Sequence, residues 1–353
     1  MSANSRTLLN TVRQKMHAAV LEKFNTDFVI KEFPIPSIGP EDVLLKVLAS
    51  GLCGTDIHIQ EGKIPTVTVP VIPGHETAGE VVEIGSAVRG VDVGDHVVVA
   101  IDIICGKCRF CLTGHENLCI NLTRIGFERD GGHAEYLAVP AQVVHKIDRR
   151  VSPEEAAIIP DAVACMYHAF KHQGDVHPGD RVCILGLGGL GFQGIQIAHL
   201  FGADVYVTSR QPEKLAMAEK FGADASINTG KFDLFSEIKK ITRGEMCDVV
   251  FDNIGIQSSI QQALDICRPG GKAVIVGYVD PTFTANYQDT MKKEKQILGM
   301  RGSTRQDLIE SIHFVETGII KPYIYKKYKL TEINEAIADL KNGKSLGRTV
   351  LIP

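Results

Sequence analysis

The chain has 353 residues, with 38 Lys and Arg against 42 Asp and Glu and a formal net charge of −4. That near-balance excludes a polyanion-wrapping surface, so no nucleic-acid partner is expected. At 44% hydrophobic and 23% charged residues the composition is that of a globular protein, and the length suits two domains of roughly 100–200 residues each. Nine cysteines is an odd number, which cannot close completely into intramolecular disulfides. The chain shows no basic n-region with an apolar core behind it and no apolar run of about 18 residues. A cytoplasmic protein with reduced thiols and no membrane partner is therefore expected, and clustered cysteines in that setting point to metal.

Residues 1–14 match no neighbouring pattern and read as an extra N-terminal arm. From Lys15 to about Val144, short β-branched runs alternate with Gly, Pro and Asp punctuation: Ala18–Leu21, Asp42–Ala49, Ala78–Ile84, His96–Ala100 and Ala134–Val139. Such spacing predicts an all-β barrel or sandwich. Ser152-Pro153-Glu154-Glu155 then opens a helix, with a capping hydroxyl, Pro at the first helical position and acids in the first turn. Beyond it, strand runs such as Arg181–Leu185, Asp204–Ser209, Asp248–Asp252 and Lys272–Val276 alternate with helical stretches. That alternation predicts a parallel sheet with helices on both faces over about 162–300, with the strand near Val274–Val276 as an edge able to extend across a dimer axis. A helix at Thr331–Asn342 and a last strand at Thr349–Ile352 close the chain; periodicity does not decide which domain that strand joins.

Cys105, Cys108, Cys111 and Cys119 place four thiols within 15 residues, at spacings of two, two and seven. Short loops at those spacings let four sulfurs converge on the tetrahedron that zinc accepts, although four cysteines also suit an iron–sulfur cluster. With every position filled by protein, this site is structural. A second constellation, Cys53, Thr55, Asp56 and His58 followed by His75 and Glu76, supplies a thiol, imidazoles and carboxylates. A catalytic zinc takes three protein ligands and one exchangeable position, and Cys53 with His75 is the natural pair.

Further on, Gly186-Leu187-Gly188-Gly189-Leu190-Gly191 follows a strand run and opens a helical pattern. The glycines permit a tight turn and close backbone approach, and the helix N-terminus faces a pyrophosphate. About 20 residues later the next strand ends in Ser209-Arg210, where an NAD enzyme places an acid for the ribose 2′-hydroxyl. Here Ser209, Arg210 and Lys214 suit a 2′-phosphate instead, so NADP(H) is expected over NAD(H). The competing role for Arg210 is a strand-end charge that stacks on adenine, compatible with NAD.

GLCGTDIH, PGHETAGEVVEIG, the four-cysteine loop and GLGGLG, in that order, resemble the zinc-dependent medium-chain dehydrogenase/reductase family of the alcohol dehydrogenase kind. The resemblance runs from Lys15 to Pro353. It implies an α/β protein: a GroES-like β-barrel catalytic domain (1–161 and 301–353) plus a Rossmann domain with a doubly wound parallel sheet (162–300), with the active site in the cleft between them. It also implies two zinc ions per chain, one structural and one catalytic. Cys53 and His75 match the catalytic ligands, Asp161 the variable third ligand and Glu76 a part-time fourth; the competing role for Asp161 is to cap the next helix. Arg348 resembles the arginine that reaches the pyrophosphate from the tail.

By the same resemblance, Thr55 accepts the alcohol proton and passes it through the cofactor ribose, and His58 delivers it to solvent. Asp56 orients a ligating imidazole. Ile57, Ile101 and Phe127 are apolar candidates for the substrate pocket, favouring a small or medium apolar carbonyl. Tyr206, Cys165, Cys183, Cys247 and Cys267 read as core or loop positions. The expected function is reversible hydride transfer between an alcohol and its aldehyde or ketone, in a homotetramer or homodimer. The alternatives are an NAD-dependent polyol or amino-alcohol dehydrogenase, a zinc-free quinone or enoyl reductase, and a non-catalytic cofactor-binding protein.

Overall fold

The structure is a computed structural model that describes residues 15–353. The arm expected over 1–14 lies outside the described residues. The chain divides into two compact units: the first runs to Pro160 and resumes over Lys326–Lys344 and Thr349–Pro353, and the second spans Asp161–Tyr325 and Ser345–Arg348.

In the first unit, β1 (Lys15–Val20) and β2 (Val29–Pro34) form an antiparallel pair. The long β3 (Asp42–Leu52) leads into α1 (Gly54–Gln60), and β4 (Glu76–Ile84), β5 (His96–Val99) and the small β6 (Asp102–Ile103) follow. A cysteine-bearing loop with the one-turn α2 (Arg109–Leu112) precedes β7 (Thr123–Arg124), β8 (Tyr136–Pro140) and β9 (Val144–Lys146). α3 (Pro153–Ala157) starts on the expected signal, since the Ser152 hydroxyl accepts from the Glu155 N–H while Glu155 returns to Ser152. Val43, Leu45, Val47, Val81, Val97 and Val99 bury one face of this sheet, as period-2 β-branched runs require.

The second unit opens with α4 (Ala164–His168), flanked by π turns at Ile159–Val163 and Ala169–Gly174. Then come β10 (Arg181–Leu185), α5 (Gly189–Leu200), β11 (Asp204–Ser209), α6 (Pro212–Lys220), β12 (Ala225–Asn228), α7 (Leu234–Ile241), β13 (Cys247–Asp252), α8 (Gln257–Ile266), β14 (Cys267–Ile275), α9 (Tyr287–Lys292), β15 (Gln296–Gly299) and α10 (Arg305–Glu316). The six strands are parallel in the order β12-β11-β10-β13-β14-β15. This is the doubly wound order, in which the strand order, not the strand direction, reverses between β10 and β13. The edge expected near Val274–Val276 is an interior strand instead, because β15 pairs with β14 and takes the edge. Its short, half-polar sequence carried no strand signal. Tyr206, Cys183, Cys247 and Cys267 lie buried in this unit's core, and Cys165 is buried in α4, as expected.

The tail forms β16 (Ile324–Lys329), α11 (Ile333–Lys341) and β17 (Arg348–Ile352). β17 returns to the first unit, pairing antiparallel with β3 from Thr349↔Leu52 to Leu351↔Ser50, so the sheet runs β16-β17-β3-β4-β5-β9. The expected boundary at 300/301 moves to 325/326. α10 packs on α4 through Tyr167, His168 and Lys171 against Asp307 and Glu310, which holds residues 301–325 in the second unit.

Candidate active site and metal centres

Cys53 follows the last residue of β3 and is the N-cap residue of α1. Its N–H donates to Asp56 Oδ2 at 2.8 Å, and its Sγ lies 3.6 Å from Thr55 Oγ1. His75 and Glu76 stand where β4 begins, and the register Gly51↔Glu76 sets them beside the end of β3. One donor atom from each of Cys53, His75 and Glu76 lies within 4.8 Å of the others. All three are buried.

Asp56 is fully buried, with Oδ1 3.7 Å from His75 Nδ1 and 3.5 Å from His133 Nε2. Burial pushes its carboxyl up, but His75, His133 and the Cys53 N–H outweigh that and hold it below the usual range. Asp56 therefore faces His75 as an ionised acceptor able to orient its ring. His133 went unnoticed in the sequence. It is completely buried and its Nδ1 meets Ser50 Oγ at 2.9 Å, which makes it a second imidazole on Asp56, and no spacing rule ties residue 133 to residue 56. His58 is half-buried on α1. Burial, helped by Lys63, lowers its pKa below the ordinary 6.5.

The three apolar pocket candidates pack against the core cluster around Leu52, Ile59 and Leu351. Phe127 lies deepest, its ring 5.2 Å from that of His75 and 4.0 Å from the Arg124 guanidinium.

Asp161 opens the second unit inside the first π turn, and the N-cap residue of α4 is Val163. Its Oδ2 accepts from Arg348 Nη2 at 2.7 Å and its Oδ1 from the Cys165 thiol at 3.2 Å. The capping role is therefore not the one adopted. Single π turns of this sort cluster at functional sites.

The glycine-rich turn joins β10 to α5 as expected. Gly186 sits at φ +90 and Gly188 caps α5. A Cβ at Gly189 would come within 2.9 Å of the buried Arg348 guanidinium, so this arginine lies against the helix N-terminus, and Leu190 and Gly191 complete the first turn. Ser209 ends β11, its Oγ accepting from Gln211 N–H at 3.1 Å. Arg210 is exposed and Lys214 half-buried on α6, where burial lowers the Lys214 pKa. Among the described residues neither cation is held in a side-chain ion pair.

Cys105, Cys108, Cys111 and Cys119 bring their sulfurs within 4.8 Å of one another. Backbone N–H groups of Lys107 and Cys108 help lower the Cys105 thiol to about 6, while burial and its neighbouring thiols push Cys111 up to about 12. Ligation by a dication needs all four sulfurs deprotonated, so binding there would release the protons they hold. Leu112 and Ile120 are 72% and 70% exposed, so the loop has little apolar core of its own.

The alcohol dehydrogenase GroES-like domain family matches residues 39–149, and the zinc-binding dehydrogenase family matches residues 189–317. An alcohol dehydrogenase of Geobacillus stearothermophilus is 35% identical over 95% of this chain and 98% of its own length. The chain belongs to the zinc-dependent medium-chain dehydrogenase/reductase family. It is an oxidoreductase of the alcohol dehydrogenase kind, with the GroES-like and Rossmann-like domains of this family. Two solved structures are similar over 97% of the chain. One is a putative zinc-binding dehydrogenase from Sinorhizobium meliloti bound to NADP, at 32% identity, TM-score 0.90 and 100% of that chain. The other is acetophenone reductase from Geotrichum candidum in complex with NAD, at 30% identity, TM-score 0.88 and 98% of that chain. As a member of this family the chain is expected to carry zinc, and its donor chemistry fits: four convergent sulfurs suit a closed tetrahedral site, and the buried thiol, imidazole and carboxylate suit an open one. Among the described residues no helix is long and apolar enough to cross a membrane.

Proposed function

We propose that the protein is a zinc-dependent, NADP(H)-preferring alcohol dehydrogenase or carbonyl reductase, catalysing reversible hydride transfer between an alcohol and its aldehyde or ketone. The observation that carries this reading is the buried Cys53, His75 and Glu76 donor set with the Thr55 hydroxyl beside the Cys53 sulfur. Asp161, fixed by Arg348 and Cys165, completes the catalytic ligands. Glu76 is the exchangeable one, and the four-cysteine loop holds a second, structural zinc.

Zinc at the first site supplies a Lewis acid for the substrate oxygen, and the nicotinamide supplies or takes the hydride. The residues do the rest. Asp56 fixes the His75 ring. With substrate and cofactor bound, Thr55 would accept the alcohol proton beside the cofactor ribose, and His58 would deliver it to solvent. A half-buried imidazole with a lowered pKa is neutral near pH 7 and so has a nitrogen lone pair that can accept that proton. Ile57, Ile101 and Phe127 favour an apolar carbonyl of small or medium size. Gly186, Gly188, Gly189, Leu190 and Gly191 cradle the pyrophosphate with Arg348, and Ser209, Arg210 and Lys214 meet the 2′-phosphate. The strand end carries no acid to repel that group. We place the protein in the cytoplasm as a homotetramer or homodimer.

Initial rates with a panel of alcohols and carbonyls, run with both nicotinamides, test the reading. NADPH should be preferred by at least tenfold, and clear NADH preference overturns the cofactor assignment in favour of an NAD-dependent polyol or amino-alcohol dehydrogenase. Cys53→Ser should abolish turnover while far-ultraviolet circular dichroism stays unchanged. Retained turnover would refute the metal mechanism.

A further inference from the structure

A cluster of ligating side chains in the second unit takes no part in the proposed chemistry. His168 ends α4, and His172 stands four residues on in the π turn over Ala169–Gly174. That spacing puts both rings on one helical face, with centroids 4.8 Å apart. Opposite them, Asp307 lies fully buried in the first turn of α10. It takes one ring on each oxygen: His168 Nδ1 lies 2.8 Å from Oδ2 and His172 Nε2 3.0 Å from Oδ1.

The carboxylate is fixed in place by its own helix. Thr304 donates its N–H to Oδ2 at 3.0 Å and its hydroxyl at 2.6 Å. Lys171 is the competing cation, but its ammonium lies 2.6 Å from Glu310 against 3.6 Å from Asp307. Its charge is thereby drawn off the carboxylate that the imidazoles share. One donor atom from each of His168, His172 and Asp307 lies within 4.8 Å of the other two.

We propose that His168, His172 and Asp307 form a third metal site, taking a divalent transition ion such as Zn2+ or Ni2+ and leaving the remaining positions to water. Two imidazole nitrogens and one carboxylate oxygen are the borderline donor set such ions prefer. Each imidazole frees its ligating nitrogen by keeping its single hydrogen on the other one, so affinity falls as pH drops below the histidine range. The His172 side chain is 42% exposed and gives the ion its entry path. Once bound, the ion clasps the segment that follows Asp161 to α10.

Calorimetric titration of Zn2+ into the zinc-loaded protein tests the proposal. The wild type should bind one further equivalent per chain, with a thermal midpoint that rises by a few degrees in excess Zn2+. His172→Gln, a change at a half-exposed position, should weaken that equivalent at least tenfold and remove the thermal response while leaving turnover intact. His168→Gln should do the same to the titration. A wild type with no further equivalent, or variants that bind it with wild-type affinity, overturns the site without touching the dehydrogenase reading.

Discussion

A methyl group at position 51 has nowhere to go: it would stand 1.9 Å from Glu76 Oε2 and 2.8 Å from its Cβ. The close approach of β3 to β4 at this point seats the carboxylate beside Cys53 and His75, and only glycine allows it. Gly51→Ala should therefore displace Glu76, cost about 1–3 kcal/mol of stability and lower kcat, measured by thermal denaturation and steady-state rates. At the cofactor end, Arg210→Ala or Lys214→Ala should each remove about 1.5–3 kcal/mol of charge-assisted bonding, a tenfold or greater fall in kcat/KM for NADPH, with NADH rates nearly unchanged. The cysteine quartet was legible because short spacings encode local geometry, whereas Cys53 and His75, at the ends of different strands, were paired through the family resemblance of their glycine-flanked motifs. Asp56 was legible only as a neighbour of Thr55. His133 was not legible at all, since its place beside Asp56 follows from backbone bonds to Ala19 and Pro73 and a contact with the Ser50 hydroxyl, 83 residues away in sequence.

At the level of elements, the Thr304–Asp307 cap shows what local signals carry and what they miss. Thr304 and Asp307 bond reciprocally at the start of α10, so Thr304→Ala should cost about 1 kcal/mol in urea denaturation. Burial pushes the Asp307 carboxyl up, but His168, Thr304 and His172 more than offset it and hold the group well below the usual carboxylate range. Its folded pKa is depressed, so its contribution to stability is present above the unfolded value of about 4 and disappears as pH falls through the folded one. The stability gap between wild type and Asp307→Asn should thus be full at pH 6 and shrink steadily below about pH 4. The cap is readable in sequence, but the partner of α10 is not: nothing in 301–325 announces that it packs on α4, and the expected boundary fell 25 residues early for that reason. β12 and β15 were missed for a related one, being four-residue strands with burial too partial for a clear pattern.

For the whole molecule, the two cysteine-bearing centres should separate cleanly. Cys108→Ser should lower the thermal midpoint by several degrees, because the loop has little apolar core to fall back on, whereas Cys53→Ser should leave it nearly unchanged. Elemental analysis should fall from two zinc per chain to one in each variant. The doubly wound order and the return of the tail to β3 followed from motif order along the chain, which records ancestry and so reaches further than periodicity.

The first unit is sewn shut by its last residues, since β17 lies between β3 and β16 and pairs Thr349 with Leu52, the residue just before Cys53. On a ribosome this matters. The strand that borders Cys53 emerges after every other strand of its sheet, so the sheet stays open until β17 has been made, at about 5–20 residues per second. Nascent chains arrested before Thr349 should leave Cys53 open to thiol reagents, and released full-length chains should shield it. Synthesis itself would then time the closing of the site, leaving Cys53 open to incoming metal until β17 seats against β3.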